Sequence, residues 1–494
     1  MTASRRIVAV TSLLTALTLG SCSAAASDRV EITVDPSITY QVMNGWEATT
    51  RLWEYNKEED RYDPSWLTVS DQIFDRLVND LGINRIRLEL KSGAENPVDY
   101  WTKFETGAIG YKAFRRHFYE KINDDSNPNH TKSDGIQFSS LDYQVEKIVL
   151  PIKRRLEAKG EKLFVNLNYV DFSQTELKGN LSHARNPAEY AELIHAAFVH
   201  LKSKYSLVPD ALEIILEPDN TNDWRGRQIG EAIRTASARL KAEGFSPEII
   251  APSTAAAGKA PAYIDEMIAV AGVQPLVTTL SYHRYDLPKP RALTDIAHRA
   301  QAIGLSNRLV DRLAPVPGIA ERARAGRFST AMLEHLTGDA AELHEDLTKG
   351  QVSAWQQWAI ATRANGGKPD KDGYYYVLDA SNPKAPIVRM AERTRGLAQY
   401  FRYIRFGATR LEARSSHGGV KPTAFRNADR SIVVVLASNK AGTMIVRGLR
   451  AGRYLASYTS DRETGRELPP LISDGTISVT LPAAGIITIR QEAT

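Results

Sequence analysis

The feature that most restricts this chain is a rhythm in its middle. Short apolar runs recur at "GINRIRLEL" (82–90), "KLFVNLNYV" (162–170), "ALEIILE" (211–217), "EIIAPST" (248–254), "VTTLSYH" (277–283) and "STAMLEH" (329–335). Between them lie segments of helix length. "NPAEYAELIHAAFVHLKSKY" (186–205) places apolar residues at i, i+3, i+4 and i+7, and "RQIGEAIRTASARLKAEG" (227–244) is closed by a glycine. Strand alternating with helix, with strands read as apolar on both faces, predicts a parallel sheet covered by helices. Adding a strand at Gly45 and one within "VSAWQQWAI" (352–360) makes eight, and eight such units close into a (β/α)8 TIM barrel. A doubly wound nucleotide-binding sheet is disfavoured, because no glycine-rich fingerprint follows an early strand and no GxxxxGK loop occurs.

Both ends of the chain differ from this core. From about residue 410 short alternating strands with turn residues between them, such as "SIVVVLASN", "GTMIVRGL", "GRYLASYTS", "GTISVTLP" and "GIITIRQ", predict a small β-sandwich. The early strand at 30–34 is a candidate to join it. At the other end Arg5 and Arg6 precede an apolar stretch from Ile7 to Leu19, too short to span a bilayer, which reads as an export leader. It ends in "LGSC", which resembles a bacterial lipobox. That resemblance implies acylation of Cys22, and Ser23 after it resembles an outer-membrane sorting signal. The other reading is plain cleavage at "AAAS" just downstream, with Cys22 discarded. Cys22 is the only cysteine, so the chain makes no internal disulfide. The expected division is a leader over 1–27, a catalytic barrel over 28–395 and a sandwich over 396–494.

Composition excludes little beyond the extremes. The chain has 494 residues, of which 43% are hydrophobic and 24% charged, enough for a sizeable core. Loss of the leader removes two basic residues and no acidic ones, so the formal net charge falls from +5 to +3. With no basic run of five or more, nucleic acid is not an expected partner.

In a barrel of this kind the reactive groups sit at the C-terminal ends of the strands. Those ends carry Arg87 with Glu89, Asn166 with Asn168, Glu217, Tyr282 with His283 and Tyr285, Glu334 with His335, and Trp355 with Trp358. Carboxylates ending the fourth and seventh strands suit glycoside hydrolysis, where one carboxylic acid protonates the leaving oxygen and a second carboxylate attacks the anomeric carbon. Glu217 is the candidate acid/base and Glu334 the candidate nucleophile. Trp and Tyr present faces on which sugar rings stack, while Asn, Arg and His address hydroxyls.

With these residues in place the chain resembles a retaining glycoside hydrolase of clan A, most closely glycoside hydrolase family 30, whose barrel carries a β-sandwich side domain. "LEP" keeps Glu217 and Pro218 of that family's fourth-strand motif, and "HRY" (283–285) is similar to its sixth strand, which implies that Tyr285 lies against the nucleophile. Arg87, Glu334 and "WQQW" (355–358) match its second, seventh and eighth strands. "YFRYIRFGATRLEA" (400–413) is similar to its barrel-to-sandwich linker. The resemblance implies Glu217 and Glu334 as catalytic residues, Arg87, Asn168, His283, Tyr285 and Trp355 as substrate-binding or orienting groups, and no cofactor. Leu216 departs from the pattern. Clan A has asparagine there, holding the 2-hydroxyl of the reacting sugar. Its loss implies a sugar without a free equatorial 2-hydroxyl, or substitution by Asn168 or Asn220.

Each residue also has a plainer reading. Glu217 could start a turn in "EPDNTND", Asp219 and Asp223 read as capping residues, Trp355 and Trp358 as core and Arg87 as a buried ion-pair partner. His283 and His335 lack the HExxH or Cys/His spacing of a metal site. Absence of GxSxG lowers an esterase reading. Arg51, Lys91, Arg225 and Arg284 near strand ends hint at an acidic glycan, and residues 120–135 read as a polar loop over the barrel mouth. The competing function is a surface carbohydrate-binding lipoprotein that keeps the barrel without turnover, and a third is a polysaccharide lyase.

Overall fold

The computed structural model describes residues 29–52, 55–56, 59–172, 177–286, 288–305, 329–333, 340–363, 374–379, 382 and 386–492, with only the backbone described at 56, over 329–333 and at 340. Cys22, Glu334 and His335 lie outside the described residues.

Eight parallel strands close into a barrel. In chain order they are Gly45–Thr49, Arg85–Lys91, Phe164–Val170, Ala211–Glu213, Glu248–Thr254, Thr279–His283, Ser329–Leu333 and Ala354–Gln357. Each pairs in parallel with its neighbours, and the eighth closes on the first through Trp355 opposite Trp46. All eight stand where the sequence placed them, the second running one residue past its run to Lys91. The fourth is shorter than the run that announced it. It ends at Glu213, leaving Ile214 to Glu217 outside regular pairing.

The strands are not apolar on both faces, as their runs suggested. In "RIRLELK" the residues Ile86, Leu88 and Leu90 pack into the large core shared with the surrounding helices. Arg85, Arg87 and Glu89 alternate with them and fill the barrel interior, where Arg85 pairs with Glu47 at 2.9 Å, both fully buried. Asn166 and Asn168 do the same in the third strand, and Asn166 Nδ2 donates to Glu213 Oε2 at 2.9 Å. Successive side chains on a strand point to opposite faces, so a closed barrel gives one of its faces to the helices and the other to its own interior.

The helical layer includes Pro187–Tyr205 and Gly226–Ala242. Proline at the first position starts the former, where its missing N–H costs nothing. Two short helices, Tyr100–Glu105 and Tyr111–Arg116, follow the second strand and rest on an aromatic cluster in which Phe104 stacks on Phe114 with ring centroids 4.8 Å apart.

The C-terminal region forms a single nine-stranded sheet that begins with Arg29–Val42. That strand runs antiparallel to Thr409–Ser415 and parallel to Gly442–Arg447. Residues from distant parts of the sheet, Val30, Leu436, Met444, Tyr454, Ile477 and Ile489 among them, share one core, so the sheet folds over on itself. The helix Glu392–Phe401 joins the two parts, and the expected division at 395/396 falls within it. Phe401 stacks on Trp46 of the barrel at 4.1 Å. On the sandwich side, Gln399 Nε2 donates to Thr459 Oγ1 at 2.8 Å.

Candidate active site

The fourth strand stops pairing at Glu213, and the chain then climbs to Glu217 at the barrel mouth. Leu216 N donates to Tyr169 O and Glu217 N to Ser253 O, at 2.9 and 3.0 Å. Glu217 has φ +48° and ψ +61°, a left-handed conformation that disfavours a residue with a Cβ by roughly 1–2 kcal/mol. Ser253, which accepts its N–H, is also left-handed, at φ +55°. Strain of this sort persists where the surroundings over-determine it, often at functional sites.

What holds the Glu217 carboxyl is explicit. His283, at the end of the sixth strand, brings Nδ1 to 2.8 Å from Oε1. Asn220 Nδ2 donates to Oε2 at 2.7 Å. The carboxyl is nearly enclosed, with Glu217 4% exposed and His283 fully buried. Pro218 opens a single 3-10 turn over Pro218–Asn220 that returns Asn220 toward the carboxyl. The two other acids of "EPDNTND" are structural. Asp219 accepts from the N–H groups of Ala255 and Ala256, and Asp223 from Ser182 and Arg185.

The remaining candidates divide. Asn168 is fully buried in the third strand, directly across from Glu89 and Glu213, and neither atom of its amide has a partner among the described residues. Arg87 sits in the barrel interior with Nη2 3.3 Å from Glu89 Oε1. Glu89 also receives Arg51 Nε at 3.1 Å. Tyr285 is at the mouth, 41% exposed, with its ring 6.1 Å from that of His283. Glu334 follows directly on the seventh strand, whose Met332 pairs with His283, but itself lies outside the described residues.

Trp355 does not line the site. It is fully buried on the outer side of the eighth strand, donating Nε1 to Asp346 Oδ2 at 3.0 Å and packing on Phe401 at 5.7 Å. Strand alternation decides this, since a residue beside the inward Gln356 must face the helices. Trp358, three residues on, stands nearer the mouth, 5.7 Å from the Arg51 guanidinium and 5.6 Å from Tyr374. Two of the basic strand-end residues are already engaged by acids. Arg284 turns away to Glu345 and Asp346 at 3.0 and 3.3 Å, and Arg51 is engaged with Glu89.

Leu216, 2% exposed, packs with Val170, Tyr119, Phe118 and Phe172 in a small apolar cluster apart from the main core. Tyr119 comes from the segment leading into the polar loop. That loop is tied down by Lys121, whose ammonium meets Asp171 Oδ1 at 2.6 Å, and by the pairing of Lys121 with Gly179.

Glu213 was missed by sequence reasoning. It is fully buried in the barrel one strand turn beneath Glu217, and burial pushes its carboxyl upward, with Arg87 and the Ser253 hydroxyl opposing that push. The signal was present: a glutamate in the middle of an otherwise apolar strand must face the one surface of a barrel that tolerates charge. Among the described residues no group of three or more His, Cys, Asp or Glu is arranged to hold a metal ion.

No protein-family model matches the chain. Solved structures do. The catalytic domain of a GH30 xylanase C from Talaromyces cellulolyticus superposes with TM-score 0.62 at 18% identity, over 94% of this chain and 100% of that one. A GH30 endoxylanase from Clostridium papyrosolvens C71 gives 0.60 at 16% identity, over 94% and 100%. An endo-β1,6-glucanase gives 0.56 at 13% identity, over 94% of each. Over that length the chain shares the barrel-plus-sandwich fold of the two GH30 structures, and the glucanase superposes over the same length.

Proposed function

We propose that this protein hydrolyses glycosidic bonds of an oligo- or polysaccharide with retention of anomeric configuration. The observation that carries this reading is the Glu217 carboxyl, enclosed at the end of the fourth barrel strand and gripped by His283 and Asn220, in a fold shared with GH30 xylanases and a β1,6-glucanase. In the first step Glu217 donates its proton to the departing oxygen while Glu334 attacks the anomeric carbon, forming a glycosyl-enzyme. In the second, Glu217 takes a proton from water, which displaces Glu334 and restores the original configuration. Asn168, with a buried amide that has no partner among the described residues, is suited to a substrate hydroxyl. We further propose export and lipid anchoring through Cys22, which rests on the leader and "LGSC" alone.

Hydrolysis of a polysaccharide panel, with the anomeric form of fresh product followed by NMR, tests the reading. Glu334→Gln should reduce turnover by about four orders of magnitude or more. Glu217→Ala should fail on natural glycosides yet still accumulate the intermediate from aryl glycosides with good leaving groups. Full activity in Glu334→Gln would overturn the assignment. Retained polysaccharide affinity without labelling by a fluorosugar inactivator would mark a binding protein instead.

A further inference from the structure

His283, which holds the Glu217 carboxyl, lies in the chain between two residues that both end on one carboxylate outside the barrel. Tyr282 OH donates to Asp346 Oδ1 at 3.0 Å, and Arg284 Nη1 donates to the same oxygen at 3.3 Å. The other oxygen, Oδ2, takes Trp355 Nε1 at 3.0 Å. Tyr282, Ala331 and Trp355 stand side by side in the register of the sixth, seventh and eighth strands, so Asp346 ties together the two strands that flank the seventh. This tie has little freedom. Asp346 and Tyr282 are fully buried, and Arg284 nearly so. The Arg284 guanidinium is held further by Glu342 O and Glu345 Oε2, each at 3.0 Å. The turn Asp346–Gly350 is itself fastened to the first sandwich strand, where Gln41 Nε2 donates to Leu347 O at 2.8 Å. Gly350 passes so near the Tyr282 hydroxyl that a Cβ there would collide with it.

We infer that Asp346 is a positioning residue for the proposed acid/base: it clamps both chain neighbours of His283 and thereby keeps His283 Nδ1 on the Glu217 carboxyl. Successive side chains of a strand point to opposite faces, so anchoring Tyr282 and Arg284 on the outer face fixes the direction in which His283 enters the barrel. Orientation of this kind is costly to lose, since a misplacement of about 1 Å at a reacting group can slow a reaction about 100-fold. The clamp works as an anion facing a cation. Burial pushes the Asp346 carboxyl up to about 6, while Arg284, Trp355 and Tyr282 oppose that rise and Glu342 adds to it, so at neutral pH the carboxyl is ionised opposite the Arg284 guanidinium.

The part played in turnover rests on the functional reading above, and the leaving group separates positioning from simple stability. Protonation by Glu217 matters for a natural alcohol leaving group and hardly at all for dinitrophenolate, which departs unaided. Asp346→Asn keeps the shape of the side chain and loses its charge. It should lower kcat on a natural glycoside by about 10- to 100-fold with KM within about twofold of the parent. The pre-steady-state burst of dinitrophenolate from the activated glycoside should stay within about threefold of the parent. If Asp346→Asn does not fold, Tyr282→Phe removes one hydroxyl from the clamp and should show the same split at about 3- to 10-fold. Equal losses with both leaving groups, or no loss with the natural one, overturn the inference. A parent protein that hydrolyses no glycoside sinks the functional reading and leaves the clamp to be read by NMR. In 15N-histidine-labelled protein the His283 Nδ1 signal should then move, in either variant, toward that of a freely exchanging imidazole, and an unmoved signal overturns the positioning role.

Discussion

Leu216 and Glu217 are neighbours in the chain but belong to different environments, and that separation is the main lesson at the scale of single residues. Glu217 turns into a polar grip made by His283 and Asn220, while Leu216 enters an apolar cluster with Tyr119 and Val170. Leu216→Asn would place an amide in a cluster otherwise made of Val170, Phe118, Phe172 and the Tyr119 ring, where most of its hydrogen-bonding capacity stays unmet, at a cost of roughly 1–3 kcal/mol. Denaturant unfolding of the variant should show that loss. The same variant should gain no activity on plain β-xylosides or β-glucosides. A gain without loss of stability would mean that the site readily accepts an amide here and that Leu216 alone sets the sugar preference.

At the scale of the element, the barrel strands carry charge where an ordinary core carries hydrocarbon. The pair Arg85–Glu47 is completely enclosed, with the Arg85 guanidinium also 3.9 Å from the Phe164 ring. Removing one partner strands the other charge in a region of low polarity. Arg85→Met should therefore cost about 3–5 kcal/mol, measured by chemical unfolding. Arg85→Met combined with Glu47→Leu should recover most of it, because two matched apolar side chains leave no charge to desolvate. Equal losses in the single and double variants would show that the pair contributes through shape alone.

For the whole molecule the decisive contact is between barrel and sandwich. The Ala340–Glu345 helix presses His344 toward the sandwich strand Val420–Arg426, with Nε2 3.3 Å from Pro422 O. Burial, with Lys421 and Arg410 nearby, pushes the His344 imidazole down to about 4, while the Pro422 carbonyl and Glu345 act in the opposite direction. An imidazole held below its ordinary value of 6.5 is bound as the neutral form, so the unfolded chain takes up the extra proton first. This contribution to stability is full above about pH 6.5 and is lost as the pH falls to about 4, by roughly 3 kcal/mol. His344→Gln should be less destabilised than the parent between pH 7 and pH 4.5 in urea unfolding. An unchanged pH dependence would place the acid sensitivity elsewhere.

Eight strand positions, the acid candidate on the fourth and its histidine neighbour on the sixth were legible in the sequence, because apolar runs and turn residues report local chain conformation directly. "ALEIILEPDN" announced a strand delivering Glu217. It did not announce that the strand ends at Glu213, that Glu217 adopts a left-handed backbone, or that Trp355 faces Phe401 while Trp358 stands near the mouth. Which face of a strand looks into the barrel depends on how eight strands register around a closed ring, and no window of sequence contains that information. The same holds for the strand Arg29–Val42, whose partners lie some 370 to 415 residues away in the chain by the arithmetic of its pairings with Thr409–Ser415 and Gly442–Arg447. The sequence by itself determined the alternating elements and the chemistry available at their ends. Only the tertiary structure decided which of those groups meet, because burial inside a closed barrel, not adjacency in the chain, brings His283 and Glu217 together.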